Sequence, residues 1–276
     1  MPSPHRVAAA VEPADLLKRG NENGHLVEMA DITKRFPGVL AVDKVSFDVK
    51  PGEVHALLGA NGAGKSTLIK ILSGVYHKDE GEIRLRGDAV DIRDPHHAQA
   101  LGIATIYQEY NLVPDLSVAE NVSLGHLPRN AGRLGRFVVS RKQMNVSTNR
   151  ILDELQVDIA PNTPVRRLGV AKQQMVEIAK ALSLESEIYI MDEPTAALSS
   201  KEIEELFRVV HQMRERDCAV IYISHRLEEV NEIADRVTVM RDGKKVSTLN
   251  AADAPLDRLV QLMVGHSVTR GNPRPA

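Results

Sequence analysis

The chain has 276 residues, 43% hydrophobic and 26% charged, and its 35 basic and 37 acidic side chains give a formal net charge of -2. This length supports one large α/β domain or two small ones with a real core, and the composition excludes disordered, collagenous and mucin-like classes. The balanced charge gives no drive toward nucleic acid or anionic lipid, and the absence of Trp, with only 4 Phe and 5 Tyr, excludes a base-stacking platform.

The first 24 residues mix Pro, Ala, Asn and charges without period and read as a flexible tail. Their apolar run at 8–11 is closed by Glu12 and Pro13, too short for an export signal. From Leu26 on, short strands are predicted at 26–32, 45–49 and 54–58, followed by a turn and an apolar helix through 68–72. Further strands are predicted at 82–85, 104–107, 188–191, 219–223, 236–240 and 244–249. Residues 95–182, apart from the strand around Thr105, read as helices and loops, a candidate helical insertion. Ser199 and Glu202 form a capping box ahead of Ile203, Leu206, Phe207, Val210 and Met213 at helical spacing. Strands alternating with crossover helices imply a largely parallel sheet covered on both faces. No apolar run approaches the roughly 20 residues needed to cross a bilayer. The single cysteine, Cys218, followed by Ala219, Val220 and Ile221, reads as a small buried residue in a reducing, cytosolic setting.

Two motifs carry chemistry. Gly59-Ala60-Asn61-Gly62-Ala63-Gly64-Lys65-Ser66-Thr67 fits G-x-x-x-x-G-K-S/T and lies between an apolar strand and an apolar helix. Its glycines let successive N–H groups curl toward phosphate oxygens, and the helix beginning near Lys65 adds its positive end. Lys65 then meets the β- and γ-phosphates, and the Ser66 hydroxyl suits Mg²⁺, a hard ion that prefers oxygen. A dinucleotide reading has the wrong glycine spacing and leaves Lys65 unexplained. The second motif is the apolar run 188–191 ending in Asp192 and Glu193. A carboxylate at the C-terminal end of a buried parallel strand sits where ligands bind in open α/β sheets, which places Asp192 for Mg²⁺ and Glu193 to accept a proton from water. Together the two motifs admit any P-loop ATPase or kinase.

With Ile106-Tyr107-Gln108-Glu109, Ile223-Ser224-His225 and Phe36 added in order, the sequence resembles the nucleotide-binding subunit of an ABC transporter from about residue 26 to 265. That resemblance implies an α/β P-loop NTPase of ABC type: a mostly parallel core, an N-terminal antiparallel β subdomain and a helical insertion. It implies a domain over 25–266 with a helical subdomain at about 110–182, and a tail at 267–276. The implied cofactors are ATP and Mg²⁺. Gln108 would touch Mg²⁺ and the attacking water, His225 the γ-phosphate, and Phe36 the adenine. The family's Leu-Ser-Gly-Gly-Gln signature, which acts in trans on a partner's phosphate loop, stands here as Leu168-Gly169-Val170-Ala171-Lys172-Gln173. Gly169 replaces its serine and Ala171 a glycine, and Ser199 stands where an Asp is usual; each is either a tolerated variant or a weak point in the partner's site. Phrases such as Phe36-Pro37-Gly38-Val39 and the run 173–182 are similar to monosaccharide importers of the ribose, xylose and galactose type. The implied partners are membrane permease subunits, a second ATPase domain and, indirectly, a sugar-binding protein, with no nucleic acid. The implied location is peripheral, on the cytoplasmic face of the plasma membrane. Many such ATPases fuse two halves, so the chain is expected to be either a single-domain subunit or the first half of a tandem. Two rival readings are a regulatory, weakly hydrolysing module, motivated by Gly169 and Ala171, and a non-transport ABC-type ATPase, which calls for zinc cysteines, a coiled-coil insertion or a basic arm.

Overall fold

The computed structural model describes residues 24–107, 111–126 and 140–265. Two sheets organise them. Strands β1 (Val27–Phe36) and β2 (Val39–Val49) form a hairpin through Pro37 and Gly38, with Gly38 at a φ of 78°. β4 (Glu80–Leu85) pairs with the other edge of β1, and β5 (Asp88–Val90) pairs with β4. All these pairs are antiparallel, in the order β2-β1-β4-β5. The second sheet contains β3 (Val54–Leu58), β6 (Ile103–Ile106), β7 (Ile188–Asp192), β8 (Ala219–Ile223), β9 (Arg236–Arg241) and β10 (Lys244–Asn250), in the order β10-β9-β3-β8-β7-β6. Only β10 runs antiparallel.

Every residue of β3 and β8 is buried, which is why these strands read as continuous apolar runs. Alternation divides their packing. Ile188, Ile190, Ile221, Ile223 and Leu57 pack with the antiparallel sheet and helix α1 (Lys65–Leu72). Tyr189, Met191, Val220 and Tyr222 face the opposite way, onto a core built with α3 (Val118–Val122), α4 (Arg141–Glu154), α5 (Val170–Leu182) and α6 (Ser200–Glu215). The helical stretch therefore shares its core with one face of the sheet. α2 (Pro95–Ala100) leads into β6, α7 (Leu227–Ile233) follows β8, and α8 (Leu256–Val264) closes the described chain. At the start of α6, the Glu202 carboxylate accepts the Ser199 N–H at 2.8 Å and the Ser199 hydroxyl at 2.7 Å, so Ser199 serves as a helix cap.

Several features differ from the sequence reading: β1, expected over 26–32, runs on to Phe36, and β4, expected over 82–85, begins at Glu80. β2 begins at Val39 rather than Val45, because its first residues are exposed and show no alternation. β5 is a three-residue edge strand, too short to show a period. Cys218 is half-buried rather than buried: it lies just before β8, at the N-terminal end of that strand.

A charge network bolts the two sheets together. Arg236 on β9 donates to Asp48 on β2 at 2.7 Å and to Glu53 at 3.2 Å, and His55 Nδ1 lies 3.2 Å from Glu53. Burial works against ionisation of Asp48 and Glu53, but the Arg236 and His55 contacts outweigh it and hold both carboxyls below their usual range. Because these folded values are depressed, the stability they confer is present above the unfolded carboxylate value of about 4 and is lost as pH falls through the lowered folded values. Thermal midpoints measured as a function of pH should therefore drop steeply only in that acid window, and Asp48→Asn should flatten the drop. An unchanged pH profile in the variant would remove this network from the stability account.

Candidate functional site

The phosphate-loop residues 59–67 leave β3 and enter α1. Two of their glycines are sterically required. Gly59 lies so close to β9 that a Cβ would meet the Met240 carbonyl oxygen at 2.3 Å. Gly64, at a φ of 97°, would place a Cβ 2.5 Å from the Ala41 carbonyl oxygen. The loop is closed by the Ala63 N–H donating to the Ala60 carbonyl at 3.1 Å. The first-turn N–H groups of α1, on Lys65, Ser66 and Thr67, have no helical carbonyl to meet, so they join the helix's positive end as an anion cradle. The Lys65 ammonium donates to the Gly59 and Ala60 carbonyls at 2.7 and 3.1 Å. Burial pulls its pKa down from the ordinary lysine value, while Glu193 and Asp192 oppose the shift.

Sheet register brings the other groups to this loop. β8 lies between β3 and β7, with Leu57 opposite Ile223 and Ile223 opposite Asp192, so three strands end level at one edge. Asp192 closes β7, and burial, reinforced by the neighbouring Glu193 charge, pushes its carboxyl up despite Lys65 and Lys70. Glu193 adopts a left-handed φ of 50°, held by its N–H donating to the Ile223 carbonyl at 2.9 Å. Its carboxylate lies 3.2 Å from His225 Nδ1. The His225 side chain is 63% exposed and the Glu193 side chain 21%, so the imidazole stands on the open side of the pair.

A cleft of about 1010 Å³ is lined by residues 61–67, Asp192, Glu193, Ile223 and His225, and on its far side by Phe36, Leu40 and Gly243. The Phe36 ring stands edge-on to Tyr76, with centroids 5.3 Å apart, and the Lys34 ammonium lies 5.6 Å from its centroid. The exposed Ser66 hydroxyl and the Asp192 carboxylate form an all-oxygen donor pair, which fits a Mg²⁺ that keeps waters and phosphate oxygens in its remaining positions.

Of the predicted site residues, Phe36, Asn61 to Thr67, Asp192, Glu193 and His225 share this cleft, and Gly59 and Ala60 supply the carbonyls that hold Lys65. Gln108 lies outside the described residues. Leu168 to Gln173 do not line the cleft. Gly169 is the N-cap of α5, and Val170, Ala171 and Lys172 form its first turn. The Gln173 N–H donates to the Gly169 carbonyl at 3.0 Å, and its amide donates to the Leu168 carbonyl at 2.9 Å. Sequence reasoning missed Tyr76 and Glu229. Neither carries a motif, and only the fold brings them to the site.

Comparison with known proteins places these features. Residues 42–196 match the family model described as ABC transporter. The chain is similar to a ribose import ATP-binding protein of Rubrobacter xylanophilus, 55% identical over 249 residues, covering 90% of this chain and 49% of that protein. It is also similar to a putative ribose/galactose/methyl galactoside import ATP-binding protein of Burkholderia lata, 54% identical over 243 residues, covering 88% of this chain and 47% of that protein. The chain thus spans about half the length of the curated relatives it matches. Among solved structures, an ATP-binding cassette of an ABC transporter in its ADP conformation shares the fold at a TM-score of 0.75 and 24% identity, covering 88% of this chain and 99% of that one. A nucleotide-free cassette shares it at 0.74 and 22%, covering 88% and 96%.

Proposed function

This chain belongs to the ABC transporter family, and from that premise we propose that it binds ATP with Mg²⁺ in the cleft at the ends of β3, β7 and β8. On this reading it hydrolyses the ATP to power import of a monosaccharide through membrane permease subunits. The observation that carries the reading is the convergence of Lys65, Asp192, Glu193 and His225 on one sheet edge beside an anion cradle. The N–H groups of the loop and first helical turn receive the phosphate oxygens, and Lys65 turns from the loop carbonyls to the β- and γ-phosphates. Ser66 and Asp192, with Gln108, would hold Mg²⁺, which would supply positive charge to the phosphate oxygens. Glu193 accepts a proton from the attacking water, and His225 contacts the γ-phosphate from the open side. Phe36, fixed by Tyr76, meets the adenine.

The segment 168–173 serves a second ATPase domain in this account. Val170 is exposed, and the first-turn N–H groups of α5 have no helical carbonyl and no side-chain cap to meet, as a surface closing over a partner's γ-phosphate requires. Domain limits of 25–266, with a helical subdomain at about 110–182, and a peripheral place on the cytoplasmic membrane face complete the proposal. No helix of the described residues is long and apolar enough to cross a membrane. The sugar specificity rests on the relatives' names, with selectivity left to the permease and a sugar-binding protein.

Phosphate release from Mg-ATP by the purified chain tests the reading. Saturable turnover supports it, and tight ATP binding without turnover favours a regulatory module. One observation gives that second reading substance: Gly169 lacks the hydroxyl a phosphate would accept from. Its φ of -67° and the open space where a Cβ would stand let a serine fit without strain. Gly169→Ser combined with Ala171→Gly is expected to raise the ATPase rate of a homodimer if the signature limits it, by roughly the tenfold that one hydrogen bond to a charged acceptor supplies. An unchanged rate assigns both residues to tolerated variation.

A further inference from the structure

We propose that Glu229 is a positioning residue that sets the Glu193–His225 geometry by tying together the two turns that carry them; the inference rests on the proposed hydrolytic role of that pair. Glu229 lies on α7 and is 6% exposed, and its Oε2 accepts three hydroxyls: Thr195 at 2.9 Å, Tyr222 at 3.0 Å and Ser224 at 2.9 Å. Its Oε1 accepts from the Arg226 guanidinium at 3.1 Å. Thr195 follows Glu193 by two residues and Ser224 immediately precedes His225, so a single buried oxygen fixes both turns. The Ser224 hydroxyl also accepts the Arg226 N–H at 3.0 Å, which leaves its proton for Glu229 and locks the turn around His225. Thr195, Tyr222 and Ser224 are themselves buried, so water does not compete for these bonds. A buried carboxylate with this many donors is more than the core needs, since an apolar residue of similar volume packs a core without the desolvation cost. What the arrangement adds is registration of the β7 turn against the β8 turn, while the left-handed Glu193 backbone is held between them.

The test compares Glu229→Gln, Thr195→Val, Ser224→Ala and Tyr222→Phe by ATP affinity, kcat and the NMR chemical shifts of the His225 ring. The first three variants are expected to lower kcat roughly tenfold with ATP affinity unchanged, and to shift the His225 resonances. Thr195→Ser should restore both. Tyr222→Phe removes a hydroxyl from the same carboxylate but holds neither turn, so it should lower the thermal midpoint alone. The inference is overturned if Thr195→Val and Ser224→Ala leave both kcat and the His225 resonances unmoved, or if Tyr222→Phe moves them equally. Absence of turnover in the wild type counts against the hydrolytic reading instead, and the His225 resonances still decide the positioning role.

Discussion

Glu193→Gln is expected to leave ATP binding intact and to lower phosphate release by roughly 10²–10⁴-fold, the usual contribution of a positioned general base. The amide keeps the size of the side chain and a hydrogen-bonding contact to His225, so the cleft keeps its shape. What is lost is a group able to take a proton from water. The Glu193 side chain lines the cleft, and its 21% exposure leaves the carboxylate within reach of water. A variant turning over near the wild-type rate would exclude Glu193 as the base and leave the pair with His225 a structural contact.

Lys65→Ala should remove measurable ATP binding at micromolar concentrations. The ammonium is the only Lys or Arg side chain among the described residues that line the cleft, and its hydrogen bonds to a charged acceptor contribute about 1.5–3 kcal/mol each. It also offsets Asp192, whose carboxyl burial already pushes up; without Lys65 only the weaker influence of Lys70 opposes that burial, and the paired carboxylates face the incoming triphosphate with less compensating charge. Retained micromolar binding, measured by calorimetry on a variant of unchanged circular dichroism, would sink the phosphate-loop assignment.

How much of this was legible in the sequence follows from what each element buries. β3 and β8 were legible to the residue because parallel strands covered on both faces leave almost no polar position, His55 being the exception in β3. The phosphate loop was legible because Gly59 and Gly64 stand where only glycine fits, with Lys65 and Ser66 at fixed offsets. The start of helix α5 at Val170 was not legible, because Gly169 gives the N-cap no side chain to announce it. The antiparallel sheet was reached only through the family resemblance, because Val39 and Leu40 are exposed apolar residues that mask the alternation of β2. Glu229 was illegible for a different reason. It sits in a charged stretch of a short helix, 34 residues from Thr195, and only the order β8-β7 brings its partners to it.

The central claim is that the cleft recognises a triphosphate through the loop after β3, and equilibrium binding of ATP to the purified chain in the presence of Mg²⁺, with AMP as competitor, tests it most directly. AMP keeps the adenine and ribose but lacks the phosphates that Lys65 and the first turn of α1 would hold. ATP should bind and AMP in large excess should fail to displace it; displacement by AMP at concentrations like those of ATP, or no ATP binding at all, would contradict the account.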